Sequence, residues 1–417
     1  MRSALLLLLA LVASCANLID LDERTVGDGG VAAGDPGCET YCTLAEQRCT
    51  PDAGLQLFSD KARCLAVCAK FDKGDPAAPL GNTLACRITK LKALGADQVE
   101  APLTCPAAGP GGGAAAGEDP SSGCGSDCAG YCALRRTICD LDKDEAACLF
   151  KCAALPNPVR SFNAGADFAS GQDTLQCRIA HVSAAEGYHA AGDPSWRNHC
   201  DHSGIVSSTQ CDVNDKDHPE IAIRCEDFCK LNLAACGGSP VYESAQQCEA
   251  VCKKFEPANL VAPTSGNTLA LGKLLDMPRQ NTVRCRRTRT YEILNRADPK
   301  KPADPMLASD CGDSSLASTS CGAGKCESYC ALAKAACPAQ FASSDFKNEL
   351  TSCESKCAAF PDFGPDKPYS VALGMTGKGL SCRVLNVQRA LQPNPPQGAC
   401  EAALGLPAPG TTTSLCQ

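Results

Sequence analysis

The stretch CETYCTLAEQRC, residues 38–49, carries three cysteines that share one face of a helix. At about 100° per residue, Cys38, Cys42 and Cys49 project at about 0°, 40° and 20° around the helix axis. Such a narrow line of thiols predicts a helix that is fastened through this face to neighbouring elements.

This cysteine pattern recurs four times along the chain. Each copy consists of C-x3-C-x6-C, a second C-x3-C, a Cys-Arg pair and two more cysteines. The copies begin at Cys38, Cys128, Cys225 and Cys326. Only Gln417 follows Cys416, so the eighth cysteine of each copy is assigned to the module before it. Of the 33 cysteines, Cys15 stands apart, and the other 32 fill four sets of eight.

Each copy is predicted to form a small, mainly α, loop-rich module consisting of an α-hairpin and a third helix. Turn-forming residues separate the two C-x3-C pairs in every copy, which favours an antiparallel hairpin. Few residues separate successive modules, which favours a string of beads over one core. The predicted organisation is a signal peptide at 1–14, a lipidated tether at 15–37, and modules 1 to 4 at 38–124, 125–211, 212–321 and 322–417.

The cysteines are predicted to pair within each module. In the hairpin the first cysteine pairs with the fifth and the second with the fourth; the third is assigned to the sixth and the seventh to the eighth. In module 1 these pairs are Cys38–Cys68, Cys42–Cys64, Cys49–Cys86 and Cys105–Cys124. In module 2 they are Cys128–Cys152, Cys132–Cys148, Cys139–Cys177 and Cys200–Cys211. In module 3 they are Cys225–Cys252, Cys229–Cys248, Cys236–Cys285 and Cys311–Cys321. In module 4 they are Cys326–Cys357, Cys330–Cys353, Cys337–Cys382 and Cys400–Cys416. Eight cysteines allow 105 pairings, so other connectivities stay open.

The first residues are typical of an exported protein. Arg2 precedes an apolar run from Ala4 to Ala13 that has the length of a signal-peptide core and is too short to span a bilayer. The run ends in Val12-Ala13-Ser14-Cys15, which resembles the bacterial lipobox. That resemblance implies cleavage before Cys15 and its acylation, including palmitate, and Ala16 implies release to the outer membrane. The alternative is an ordinary secretory signal.

The composition agrees with export. Cysteine at this frequency is typical of a disulfide framework, and zinc thiolates are the less favoured alternative. The chain contains no C-x2-C pair, which argues against zinc ribbons, thioredoxin-like sites and c-type haem attachment. With 39 basic against 47 acidic residues, it does not have the charge of a general nucleic-acid binder.

The histidines are the main asymmetry between the modules. All five lie between residues 181 and 218, in or just after module 2. His181, His199 and His202, assisted by Asp201, are candidate ligands for zinc or copper. The alternative is that these positions are simply polar and exposed, so that the chain needs no cofactor.

Other motifs give weaker signals. DLDKDE at 140–145 starts like a calcium loop, but helix capping explains its aspartates equally well. The basic stretch 284–301 is predicted to be a solvated helix face. The arginine after each sixth cysteine is expected to lie over the hairpin or to pair with a carboxylate. No catalytic motif recurs in the four modules, so enzymatic activity is not expected.

The repeats, with their C-x2-YC-x-L, TL-x-CR and HC-x-H motifs, resemble the uncharacterised cysteine-rich lipoproteins predicted from myxobacterial genomes. The resemblance covers residues 38–416 and implies an envelope protein. Paired C-x3-C hairpins also resemble small mitochondrial intermembrane-space chaperones in geometry. The sequence therefore predicts an outer-membrane lipoprotein, anchored in the bilayer, that acts as a non-enzymatic binding or structural protein for an envelope protein or glycan. A metal-binding or redox-active envelope protein is the alternative.

Overall fold

The computed structural model describes residues 36–51, 54–94, 100–114, 122–155, 162–169, 174–204, 210–211, 225–255, 283–296, 305–318, 320–321, 324–360, 368–376, 379–407, 409–412 and 414–416. These ranges contain nineteen helices and no β-strand, so the predicted mainly α fold is confirmed.

Every module contains four corresponding helices, one more than predicted, and modules 2 and 4 add short ones. Module 1 contains α1 Pro36–Arg48, α2 Lys61–Cys68, α3 Leu84–Ala93 and α4 Ala101–Ala108. Module 2 contains α5 Asp127–Cys139, α6 Glu145–Ala153, α7 Ala164–Ala169, α8 Leu175–Ala190 and α9 Trp196–His202. Module 3 contains α10 Cys225–Ala235, α11 Ala245–Cys252, α12 Val283–Arg296 and α13 Pro305–Asp313. Module 4 contains α14 Lys325–Ala336, α15 Pro338–Ser343, α16 Leu350–Cys357, α17 Val371–Thr376, α18 Leu380–Ala390 and α19 Ala399–Leu404.

Two helices of each module form the predicted hairpin, held by two bridges; they are the first two in modules 1 to 3 and α14 and α16 in module 4. In module 1, the Cα atoms of Cys38 and Cys68 are 5.7 Å apart, and those of Cys42 and Cys64 are 5.8 Å apart. These separations are ordinary for disulfides. The hairpin pairing is thus confirmed in all four modules.

The other two bridges of each module differ from the prediction. The third cysteine pairs with the seventh and the sixth with the eighth. The observed pairs are Cys49–Cys105, Cys86–Cys124, Cys139–Cys200, Cys177–Cys211, Cys236–Cys311, Cys285–Cys321, Cys337–Cys400 and Cys382–Cys416. The predicted pairs Cys49–Cys86, Cys105–Cys124, Cys139–Cys177, Cys200–Cys211, Cys236–Cys285, Cys311–Cys321, Cys337–Cys382 and Cys400–Cys416 are therefore wrong.

The fourth helix is the physical reason for this difference. The seventh cysteine lies on a short fourth helix, absent from the three-helix prediction, which packs against the first helix. In module 1 the Cys105 Sγ atom lies 3.8 Å from the carbonyl oxygen of Arg48, at the end of α1. Cys86 lies in the first turn of α3, where the segment around Cys124 passes. The sequence of α4 conceals the helix because it contains Pro102 and Pro106.

The Thr-Leu-x-Cys-Arg motif builds the start of the third helix. The Thr83 hydroxyl accepts a hydrogen bond from the backbone N–H of Cys86, and Thr174 does the same for Cys177. The arginine that follows is fully buried in modules 1, 2 and 3. Arg87 donates from Nε to the carbonyl of Gly109 at 3.0 Å and from Nη2 to that of Pro110 at 3.2 Å. In these three modules the arginine therefore does not reach solvent over the hairpin, and its pairing with a carboxylate stays a prediction.

The same arginine also packs on an aromatic ring. The guanidinium carbon lies 4.1 Å from the ring centroid of Phe71 in module 1, and the same contact occurs in modules 3 and 4. In module 2 the ring is replaced by Leu155, and Arg178 lies 5.8 Å from Tyr291 of module 3 instead. The arginine therefore joins the third helix, the fourth helix and the hairpin.

A tyrosine before the second cysteine secures the fourth helix. The hydroxyl of Tyr41 donates to the carbonyl of Ala108 at 2.6 Å, and Tyr131 and Tyr329 make the equivalent bond at 2.7 Å. These carbonyls belong to the helix end, where no intrahelical N–H is available to them. Phe228 of module 3 has no hydroxyl. The repeated aromatic residue thus helps to hold the helix that carries the seventh cysteine.

The modules pack against one another, and their buried apolar side chains form one contiguous cluster through the described ranges. Modules 1 and 2 meet through the ion pair of Lys70 and Glu186, at 3.2 Å. Modules 3 and 4 meet through Arg389, whose Nε lies 3.0 Å from a carboxylate oxygen of Glu243. The expectation of separate beads is wrong. All sixteen bridges nevertheless lie inside one predicted module each; the module boundaries themselves stay a prediction.

Candidate metal centre

Three histidines of module 2 converge on one point. His181 lies on α8, four residues after Cys177, while His199 and His202 lie on one face of α9. The Cys139–Cys200 bridge fastens α9 to α5 between these two histidines. One ring nitrogen from each histidine can be chosen so that all three lie within 4.8 Å of one another. We call His181, His199 and His202 the three-histidine centre.

The rings are arranged as ligands of one ion would be. The Nδ1 atoms of His181 and His199 are 3.2 Å apart. The ring centroids are 5.4 Å apart for His181 and His199, 5.2 Å for His181 and His202, and 5.8 Å for His199 and His202. Three nitrogens at about 2.0 Å from a metal ion are about 3.3 to 3.5 Å apart, with ring centroids about 5.1 to 5.5 Å apart. The Nδ1 separation and the centroid separations are close to these values, and the chosen nitrogen of His202 lies within 4.8 Å of the other two, so an ion fits with adjustment of the His202 ring.

Burial holds the three rings in the uncharged form that binds metal. Desolvation, aided by the neighbouring histidines, lowers the pKa of His181 to about 2. Desolvation is also the main cause that lowers the pKa of His199 to about 4, and it lowers that of His202 as well. At neutral pH, one tautomer of the pair can donate the N–H between the two Nδ1 atoms, and a metal ion could bind both atoms once that proton lies on Nε2 of the same ring.

Aromatic side chains surround the centre on one side. The ring of Phe168, on α7, lies 4.5 Å from His181, and Tyr188 stacks on His199 at 4.6 Å between centroids. His181 is 1% exposed, and its Nε2 atom makes no well-formed hydrogen bond to a described residue. The sequence prediction did not identify Phe168 and Tyr188. Neither residue belongs to the repeated pattern. The one signal that the sequence offered is that both lie in the module that carries the histidines.

The remaining predicted ligands do not join the centre. Asp201 is exposed and is not among the clustered groups within the described ranges. His189 lies beside Glu186, with 3.8 Å between nitrogen and oxygen, and is half exposed. His218 and the acylation candidate Cys15 lie outside the described residues, so the lipid anchor stays a prediction.

A disulfide borders the centre on the other side of His181. The sulfurs of Cys177 and Cys211 and a ring nitrogen of His181 lie within 4.8 Å of one another. Both sulfurs belong to one bridge, so they are not available as thiolate ligands. In module 4 the corresponding residue, Asn386, donates toward the sulfurs of Cys382 and Cys416 at 3.7 and 3.4 Å.

The calcium-like motif is used for helix structure. Asp142 pairs with Arg135 at 2.7 Å, and the Asp144 carboxylate accepts the Ala147 N–H at the start of α6. This agrees with the capping explanation.

The basic stretch is more buried than expected. Arg286 is fully buried and Arg287 is 5% exposed, so the prediction of a solvated face is wrong for both. Arg296 pairs with Asp310 at 2.8 Å.

Comparison of the chain with protein-family models, with curated proteins and with solved structures finds no match. The resemblances to envelope lipoproteins and to intermembrane-space chaperones therefore stay predictions. Among the described helices, none has the length and apolar content needed to cross a bilayer.

Proposed function

We propose that this chain is an exported, lipid-anchored protein of the bacterial envelope. It acts through its folded surface as a non-enzymatic binding or structural protein. Its support is the set of sixteen bridges, repeated as four per module, because such frameworks persist in oxidising compartments. The proposed anchor is acylated Cys15, and the proposed partner is an envelope protein or glycan.

Mass spectrometry of the mature protein tests this proposal. The expected N-terminal peptide begins at Cys15 and carries a diacylglycerol and an N-acyl chain, and the membrane fraction contains the protein. The matched variant Cys15→Ser is expected to lose the lipid and stay in the precursor form. An unmodified N-terminus beyond residue 15, together with thiols that label freely in the exported protein, would refute both the anchor and the framework.

A second candidate function is transition-metal binding in module 2, favoured by the convergence of three uncharged imidazoles within 4.8 Å. Imidazole nitrogen suits zinc and copper, whereas magnesium and calcium prefer oxygen ligands. Calorimetric titration of the full oxidised chain with Zn²⁺ and with Cu²⁺ tests it. One equivalent is expected to bind, and binding should be lost in His199→Ala. If neither ion binds more tightly than micromolar, this function is refuted.

A further inference from the structure

The donor set of the three-histidine centre carries no negative charge. Its three ligand atoms are imidazole nitrogens, and within the described ranges no carboxylate joins the group. The two nearby sulfurs, of Cys177 and Cys211, are bound to each other. The three ligands would therefore not neutralise the positive charge of a bound ion.

The charges around the centre favour a small ionic charge. The guanidinium of Arg178 acts on buried His181, and that of Arg63 acts on His199. Asp193 acts on His199 and Asp201 on His202, whereas Arg178 is the charged side chain that acts on His181, the most buried of the three. The cost of burying an ion rises with the square of its charge, so a dication costs about four times as much as a monocation here.

The mean separation of the ring centroids, though not the 3.2 Å between the Nδ1 atoms of His181 and His199, is nearer to the value for three-coordination. In a trigonal complex, three imidazoles bound at about 2.0 Å have centroids about 5.5 Å apart, against about 5.1 Å for three positions of a tetrahedron. The observed separations of 5.4, 5.2 and 5.8 Å scatter around the trigonal value. Zinc held by three imidazoles completes its four-coordination with a water molecule, whereas a d¹⁰ monocation such as Cu⁺ is saturated by three ligands.

We infer that the three-histidine centre is a copper(I) site, in which His181, His199 and His202 hold the monovalent ion in a trigonal complex in preference to Zn²⁺. This inference rests on the proposed metal-binding function. Copper enters as Cu⁺, so binding requires no electron transfer, and the proton between the two Nδ1 atoms moves through solvent to Nε2 of the same ring, which leaves both Nδ1 atoms free to bind the ion and both rings neutral.

Competition titration of the full oxidised chain tests the preference. Cu⁺ is supplied under nitrogen with ascorbate, which leaves disulfides intact, and a bicinchoninate chelator reports free copper. Zn²⁺ is titrated separately, and Ag⁺ serves as a redox-inert probe of the same charge. The expected result is one tight equivalent of Cu⁺ and of Ag⁺, with Zn²⁺ at least about tenfold weaker. X-ray absorption of the copper-loaded protein is expected to give three nitrogen neighbours.

The matched variant replaces the three histidines by the residues that occupy the corresponding positions of module 4. The positions of His181, His199 and His202 correspond to Asn386, Ala399 and Ala402, so the triple variant H181N/H199A/H202A is expected to fold and to lose binding. His189→Ala, in the same module but outside the centre, should bind as the wild type does. Unchanged far-ultraviolet circular dichroism of the triple variant verifies its fold.

The outcomes separate the two proposals. If none of Cu⁺, Ag⁺, Zn²⁺ or Cu²⁺ binds, or if the folded triple variant binds as well as the wild type, metal binding at this centre is refuted. If Zn²⁺ binds as tightly as Cu⁺, or if the loaded copper has four protein ligands, the copper(I) inference is refuted while metal binding stands.

Discussion

Replacing Arg87 by methionine tests whether the repeated Cys-Arg pair organises each module. The guanidinium reaches the carbonyls of Gly109 and Pro110 at the end of α4, the side-chain oxygen of Asn82, and the ring of Phe71. Methionine has a similar length but no donor. The substitution therefore leaves two buried carbonyls at the helix end without a partner.

The expected change in the free energy of unfolding is the difference between opposing contributions. Two unpaired carbonyls cost about 3 kcal/mol, and the lost contacts with the ring and the amide cost about 2 kcal/mol more. Against this, burial lowers the pKa of Arg87 to about 10, which corresponds to about 3 kcal/mol spent in keeping the charge inside. The expected net destabilisation is about 2 kcal/mol, because the lost contacts exceed the relief of that charge.

Hydrogen exchange is the appropriate assay, since intact bridges hold the chain together even when one helix opens. A loss of about 2 kcal/mol corresponds to about 30-fold faster exchange of the α4 amides, read by mass spectrometry with reduction in the acid quench. Lys92→Met, at an exposed position of α3, is the matched control. Exchange in α4 that is equal in the two variants would refute the role assigned to Arg87.

Two further predictions concern the bridges and the packing of modules 3 and 4. Non-reducing peptide maps should contain the Cys49–Cys105 link, and a Cys49–Cys86 link would contradict the four-helix module. Glu243→Gln should destabilise the contact with Arg389 by about 1 kcal/mol at pH 7, an amount limited by solvent screening. The hydrogen bond from Arg389 lowers the pKa of Glu243, so the contribution is present above the usual glutamate range and is lost as pH falls through the lowered pKa. Denaturation curves of the two proteins should therefore differ at pH 7 and converge near pH 3; a constant difference would contradict this account.

The hairpins could be predicted from the sequence because their information is local. Equal C-x3-C intervals on either side of a turn leave few ways to close two bridges, and the pairs of Cys38 and Cys42 follow from that symmetry. The other bridges depend on a fourth helix of only six to nine residues, which carries too few residues to show a period. Its position is set by tertiary contacts, such as that of Tyr41 with Ala108, which no spacing reveals.

The sequence predicted which residues form the candidate site, but it did not predict how these residues are arranged in space. The restriction of histidine to one part of the chain singled out His181, His199 and His202, and the structure brings these three together. Asp201 follows Cys200 directly and therefore points away from the face shared by His199 and His202. The sequence could not show this, because three helices were predicted for each module and α9 was not among them.

The four modules have different side chains at the positions that correspond to the three histidines. Module 3 has Arg289, Asp310 and Asp313 there, and the two aspartates and the arginine influence one another electrostatically. Module 1 has Lys90, Thr104 and Ala107, and module 4 has Asn386, Ala399 and Ala402. The bridges from the third and sixth cysteines fix the third and fourth helices in every module, so these positions face each other whatever side chains occupy them. A fold held by sulfur can therefore change the residues at this position without losing its shape, which is why a metal centre can occur in one module alone.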